Sequence, residues 1–251
     1  MHNKLLKKIA GIFGYKLVDK NYIKNNRVIE SNTFLTIDKI LNSLFIEKKI
    51  NCLIQIGAND GLRFDILNKY IKKYKVKSIL VEPIKKSFND LVKNFESYEN
   101  VIFENVAISV NNQISHLYKI NPKKEGEYCG EHFKGIMSFD KKHLLKHGVK
   151  KNDIIKEEVV TTSINSLIKK YNLDFIDLIF IDAEGYDADI VEDFFKNSLK
   201  RPVIIFEYLH VSNKKFEHLI TVFNEKKYLF FSLNENVVCF PDEKQNYIKF
   251  N

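Results

Sequence analysis

Residues 53–61, LIQIGANDG, constrain the fold of this chain more than any other stretch: an apolar run stops in a loop holding Gly57, Gly61 and the acid Asp60. Glycine opens backbone angles closed to other residues and lets a ligand approach the main chain. The residues that follow, RFDILNKYIKKY, have the apolar spacing of a helix. Residues 79–82 then form a second apolar strand ending in Glu82, about 20 residues past the loop. This is the layout of a nucleotide-binding βαβ unit, with the acid placed for ribose hydroxyls.

The same loop argues against a dinucleotide. A GxGxxG count from Gly57 meets Asn59 and Leu62 where glycines should stand, and Asp60 adds a carboxylate. A carboxylate at a helix N-terminus competes with phosphate for the same amide donors and repels it. A ligand with a ribose and a positively charged end suits the loop better. S-adenosylmethionine is such a ligand, carrying a sulfonium and an ammonium but no phosphate.

With 251 residues and 45% hydrophobic content, the chain can bury one good core with additions. Its net charge is +8 and its pI about 9.1, but the lysines are spread along the chain and no basic and aromatic recognition motif accompanies them. That excludes a dedicated nucleic-acid function and leaves an anionic acceptor or a negatively charged membrane surface as the counterpart. Cys52, Cys129 and Cys239 are odd in number and far apart, as expected of reduced thiols in a cytoplasm rather than a disulfide framework or a zinc site. Lacking both an apolar run of roughly 18 residues and a signal-peptide pattern, the chain is expected to stay inside the cell.

Residues 1–20 set Leu5, Leu6, Ile9, Ile12 and Phe13 on one helical face, with Lys4, Lys7 and Lys8 largely elsewhere. Such a helix packs on its own domain or on a second subunit, giving a homodimer, or lies on the inner face of a membrane. A second helix over 31–49 completes an N-terminal helical extension, 1–50. Over 51–251 short apolar strands alternate with helices, which predicts a Rossmann-like α/β domain with a mainly parallel, seven-stranded sheet. Strands are expected near 53–57, 78–82, 101–108, 177–182, 202–208, 227–232 and 236–240, and helices near 62–73, 84–96, 163–171, 187–197 and 213–226. The last two strands should form a C-terminal antiparallel hairpin. After the third strand, the polar segment 111–162 carries Pro122, Gly126, Gly130, Gly135 and Gly148 and reads as a lid over the acceptor, or as a surface hairpin and loop.

Two strand exits carry the chemistry. DFIDLIFIDAEGYD delivers Asp182, Glu184 and Asp187 around Gly185, and RPVIIFEYLH delivers Glu207 and His210. Asp187 reads as a helix cap, and the other four as candidate catalytic groups. His210 is the best general base by intrinsic pKa, with the carboxylates as alternatives. No metal is assigned, although Asp182, Glu184, Glu207 and His210 could hold a hard divalent ion. His143 and His147, four apart in KKHLLKHG, read as part of a solvated basic helix, and Tyr128, His132 and Phe133 as acceptor contacts or loop packing.

These motifs together resemble the FkbM-type S-adenosylmethionine-dependent methyltransferases. The resemblance covers about residues 50–240 and rests on IGANDG (56–61), VEP (81–83), NVAIS (105–109), TTSINSL (161–167), IDAEGYD (181–187) and FE (206–207). It implies a Rossmann-like methyltransferase fold and O-methylation of a hydroxyl on a sugar, a glycan or another natural product, here a precursor of a cell-surface polysaccharide. By the same resemblance Gly57, Ala58, Asn59, Asp60 and Gly61 look like the methionine-end site and Glu82 like the ribose clamp. Asn105 and Ala107 look like neighbours of the adenine, and Asp182 and Glu184 like the acidic pair beside the transferring methyl. A nicotinamide-dependent Rossmann oxidoreductase and a non-catalytic adenosylmethionine-binding scaffold at the membrane are the alternatives.

Overall fold

A computed structural model describes residues 35–47, 49–63, 65–110, 113–129, 133 and 135–243. The amphipathic segment 1–20 and His132 lie outside the described residues. One compact unit spans Ile37–Asn251. It opens with α1, Ile37–Ile46, whose buried Ile37, Ile40, Leu41, Leu44 and Phe45 follow the helical period. Phe45 stacks on Tyr70 at 4.8 Å, and the Tyr70 hydroxyl donates back to Asp38, fastening this helix to the body that follows.

The main sheet has seven strands: β1 Cys52–Ile56, β2 Lys77–Val81, β3 Val101–Glu104, β8 Leu178–Ile181, β9 Val203–Glu207, β10 Tyr228–Leu233 and β11 Asn236–Pro241. Their order is β10-β11-β9-β8-β1-β2-β3, parallel from β3 to β9, with β11 antiparallel to both β9 and β10. The sheet is flanked by α2 Asn68–Tyr74, α3 Lys85–Asn94, α5 Ile164–Lys170, α6 Asp187–Asn197 and α7 Asn213–Glu225. Because β1 and β8 are buried along almost their whole length, they read as continuous apolar runs rather than alternating ones. The expected mainly parallel sheet with a terminal hairpin is what the chain forms.

Two elements differ from expectation for identifiable reasons. The helix expected from 62 begins at Asn68, because Asp60 Oδ1 accepts the amides of Leu62 and Arg63 and Asp65 Oδ1 those of Leu67 and Asn68. These side-chain turns compete with helix formation. The strand expected over 101–108 breaks at Asn105, whose side-chain amide donates to the carbonyls of Glu82 and Pro83. Past the break, β4, Ala107–Ile108, leaves the main sheet for a second one.

That second sheet is the 111–162 segment: β5 Ile114–Ile120, β6 Met137–Ser138 and β7 Ile154–Thr162, in the order β4-β7-β5-β6, with α4, Lys141–Lys146, between β6 and β7. The segment reads as polar because one face of β5 and β7 is exposed. The other face buries Leu117 and Val159 against Ile84 and Ala107. Among the described residues no helix is long and apolar enough to cross a membrane. Cys52 and Cys239 are buried and Cys129 exposed, all as free thiols.

Candidate active site

The strand register builds the site. Ile56 pairs with Val81 on one side and Ile181 on the other, and Ile181 pairs with Phe206. The next residue on each strand is therefore Gly57, Glu82, Asp182 and Glu207, one row along the carboxyl edge. Strand order reverses between β1 and β8, the switch point where open α/β sheets hold ligands. There a cavity of about 470 Å³ opens.

Gly57 sits at the tightest point, with φ +81°; a Cβ there would lie 1.9 Å from the Asp182 carbonyl oxygen. Its amide and that of Ala58 both donate to the Val81 carbonyl at 3.0 Å. Glu82 is 2% exposed and its two carboxylate oxygens accept the amides of Asn59, at 3.0 Å, and Ile84, at 2.8 Å. Burial pushes its pKa up to about 7 against the pull of those amides. Gly57, Ala58, Asn59, Glu82, Ala107 and Asp182 all line the cavity.

Asp60, Gly61 and Asn105 stand behind that wall. The Asp60 carboxylate is used by its own turn and by Arg63. At Gly61 (φ +71°) a Cβ would lie 2.6 Å from Leu91 Cδ1 and 2.7 Å from Phe95 Cε2, so any other residue would push those side chains aside at a backbone angle that already favours glycine. Asn105 ties the β3 exit to the Glu82–Pro83 carbonyls.

Asp182, Glu184, Glu207 and His210 line the cavity as well. Burial raises the Asp182 carboxyl, with Glu235 adding to the effect. Burial and then Asp182 push Glu184 to about 8; Glu207 reaches about 8 through burial and the surrounding Asp182, Asp187, Glu184 and Glu235. His210 goes the other way, to about 4, driven by burial and then by His143, His147 and Lys146. A neutral imidazole that weakly basic is a poor proton acceptor near pH 7. Asp187 is 1% exposed, and its oxygens accept the amides of Ala183 and Gly185, both at 3.1 Å. It pins the loop that presents Glu184; the residue preceding α6 is Tyr186.

The solvated helix expected for His143 and His147 is corrected. His143 is only 8% exposed, its Nε2 lies 3.2 Å from Glu184 Oε2, and both rings contact His210. The insert folds α4 against the strand exits, which lysine-rich spacing alone does not reveal. Tyr128 and Phe133 pack on each other at 5.2 Å, and the Tyr128 hydroxyl donates to Asp153; neither lines the cavity.

Gln55, inside LIQIGANDG, and Asp65 receive no role from the sequence, yet both line the cavity. The Gln55 amide donates to Asp65 Oδ1 at 3.0 Å, while Gln55 Oε1 and Asp65 Oδ2 are buried with no hydrogen-bond partner. Buried acceptors of this kind call for a donor. Among the described residues lining the cavity, Asp65, Glu82, Asp182, Glu184, Glu207 and Glu235 face a single basic side chain of the lysine or arginine kind, Arg63. A net-positive protein thus encloses an acid-rich cavity, and a cationic ligand there favours the ionised carboxylates that burial alone disfavours, whereas a phosphate does not.

Solved structures of similar fold include a methyltransferase from Geobacter sulfurreducens (9% identity, 95% of this chain and 88% of that one, TM-score 0.41). An O-methyltransferase from Bacillus cereus in complex with SAH is similar at 10% identity over 95% of this chain and 97% of that one (TM-score 0.44). A SAH-bound methyltransferase of Podospora anserina is similar at 10% identity over 89% and 88% (TM-score 0.44). None of the curated proteins matches the chain in sequence. The methyltransferase FkbM domain matches residues 55–230, from the middle of β1 into β10. That span holds both strand exits and the whole insert, so the chain belongs to the FkbM family and is an S-adenosylmethionine-dependent methyltransferase.

Proposed function

We propose that the enzyme methylates a hydroxyl of a sugar or glycan precursor, in the assembly of a cell-surface polysaccharide. The observation that carries this reading is the character of the cavity beyond Asp182. Glu184, Glu207, Glu235 and Ser138 offer hydrogen-bonding groups there beside the apolar walls of Met137 and Phe139. A polyhydroxylated ring satisfies both surfaces.

In this reading Glu82 takes the ribose hydroxyls, and the main chain at Gly57, Ala58 and Asn59 borders the methionine end. Asp65 Oδ2 and Gln55 Oε1, lacking partners in the protein, accept from the donor's ammonium. Val106, Ala107 and Ile108 flank the adenine, while Asp60, Gly61 and Asn105 hold the loops that carry these groups. When bound, S-adenosylmethionine supplies an electrophilic methyl group on a sulfonium. Asp182 and Glu184 stabilise that positive end, and the apolar wall of Met137 and Phe139 limits the water that competes. Glu207, with a pKa of about 8, accepts the hydroxyl proton in place of His210. The reading keeps the enzyme in the cytoplasm, as a homodimer or at the inner membrane face through residues 1–20, whose deletion followed by liposome sedimentation tests the contact.

Methyl-transfer assays over nucleotide sugars and glycan extracts test the acceptor class. A methylated sugar is the expected product, and inactivity on every hydroxyl-bearing acceptor alongside turnover of an amine or thiol overturns it. Glu207→Gln is expected to lower kcat by about 10²- to 10⁴-fold, the usual range for a general base, with donor affinity within a few-fold of wild type.

The same variant has a stability signature. A carboxyl whose folded pKa is raised from 4.5 to about 8 holds a proton the unfolded chain has lost across that interval. Its stabilising contribution is complete below the unfolded pKa and disappears as pH rises through the folded one. Glu207→Gln should therefore raise the ligand-free Tm at pH 8.5, by on the order of 1 kcal/mol or a few degrees after discounting for solvent screening. At pH 5 the difference should nearly vanish. A Tm gain independent of pH contradicts the assignment.

A further inference from the structure

We propose that His143, His147, His210 and Glu184 bind a divalent metal ion of the zinc class at the acceptor end of the cavity. His143 and His147 stand four residues apart and so share a face; His210 arrives from the turn after β9 and Glu184 from the turn after β8. The His143 ring centre lies 4.7 Å from that of His147 and 4.4 Å from that of His210, with 5.0 Å between His147 and His210. One nitrogen from each ring lies within 4.8 Å of the others. Glu184 stands outside that three-histidine group but beside it, its Oε2 3.2 Å from His143 Nε2.

Bonds of about 2.0–2.1 Å in a tetrahedral arrangement separate ligand atoms by about 3.4 Å. The His143–Glu184 edge has that spacing, and rotation of the His147 and His210 side chains supplies the remainder. Gly185 keeps the approach open, since a Cβ there would lie 3.3 Å from His210 Cβ and 3.6 Å from His143 Nδ1. The Ser138 hydroxyl donates to the Glu184 carbonyl at 3.0 Å and steadies the turn. Among the described residues the three histidines are the group of potential ligands brought together, rather than the carboxylate-rich set Asp182, Glu184, Glu207 and His210. Three imidazoles and one carboxylate favour Zn²⁺, Fe²⁺ or Co²⁺ over Mg²⁺ or Ca²⁺.

Two ligands come from the insert and two from exits of the main sheet, so the ion ties these parts at the cavity wall, where Glu184, His147 and His210 stand. Its catalytic role rests on the methyl-transfer reading above. An ion there, expanding to five-coordinate as the acceptor hydroxyl joins it, acts as a Lewis acid on that hydroxyl. The hydroxyl proton passes to Glu207, the oxygen bonds to the methyl carbon, and the carbon–sulfur electron pair stays on sulfur.

The full chain, stripped with EDTA, is titrated with Co²⁺ while its visible spectrum is followed, and a parallel sample is titrated with S-adenosylhomocysteine. One Co²⁺ per chain is expected, with the intense visible bands of a low-coordinate nitrogen-ligated site. His147→Ala and His143→Asn should each weaken Co²⁺ binding by more than the roughly 10- to 100-fold that loss of an outer partner costs. Both variants should still bind S-adenosylhomocysteine, which reports that they fold. Absence of Co²⁺ uptake by the wild-type protein, or uptake unchanged in both variants, overturns the site. Co²⁺ binding without S-adenosylhomocysteine binding supports the metal site and removes the donor reading instead.

Discussion

Glu82→Ala is expected to weaken S-adenosylhomocysteine binding by more than about 100-fold and to lower stability measurably. The carboxylate holds the Asn59 and Ile84 amides from a position only 2% exposed. Its loss leaves the buried Ile84 amide unpaired, at about 1–3 kcal/mol, frees the part-buried Asn59 amide and lets the loop over 57–61 drift. It also removes the acceptor for the ribose, a charge-assisted bond worth about 1.5–3 kcal/mol. A factor of 100 in affinity needs about 2.7 kcal/mol, which the lost ribose bond and the re-ordering of the loosened loop on binding supply together, while the unpaired amides lower stability in the free protein. Glu82→Gln separates the contributions: its single carbonyl oxygen satisfies one amide and turns an NH₂ toward the other, so affinity should fall between wild type and alanine. Isothermal titration of the three proteins reads the series, and equal affinity for all of them removes Glu82 from the donor site.

Gly57→Ala should be more damaging still. Its φ of +81° strains any side chain, and its Cβ would lie 1.9 Å from a backbone oxygen, that of Asp182. No rotamer relieves such a contact. β1 and β8 are locked there by the Ile56↔Ile181 pairing and by the Asp182 amide donating to the Ile56 carbonyl, so relief requires separating the two central strands. The expected cost exceeds about 3 kcal/mol, with donor binding lost. Gly148→Ala is the control: its φ is +85° but nothing lies within 4 Å of the added carbon. It should cost about 1 kcal/mol, the strain alone. Urea midpoints distinguish the two, and equal midpoints would show that the closeness of β1 and β8 is not what requires glycine.

The main sheet was legible because buried parallel strands are written as unbroken apolar runs, and because Gly57, Glu82, Asp182 and Glu207 each follow such a run directly. Register then aligns them without further information. Local side-chain chemistry was harder to read: Asp60 and Asp65 delay α2 by capping their own turns, a competition that apolar periodicity does not register. The insert reads as a lid or as a surface hairpin and loop, without strand positions, because a one-sided sheet exposes half its residues and ISHLYKI and IIKEEVVTT look polar. Gln55 reads only as part of the apolar run before the glycine loop and Asp65 only as part of a helix; a glutamine inside the run CLIQI, buried in a central strand, is the available signal. The histidine cluster draws on three elements, and only the docking of α4 brings them together.

A crystal structure with S-adenosylhomocysteine bound tests the central assignment most directly. The account predicts ribose hydroxyls on Glu82, the ammonium within hydrogen-bond distance of Asp65 Oδ2 or Gln55 Oε1, and sulfur facing Glu184 and Glu207. A ligand whose ribose lies away from Glu82, or whose sulfur faces away from the Asp182–Glu184 turn, would contradict it.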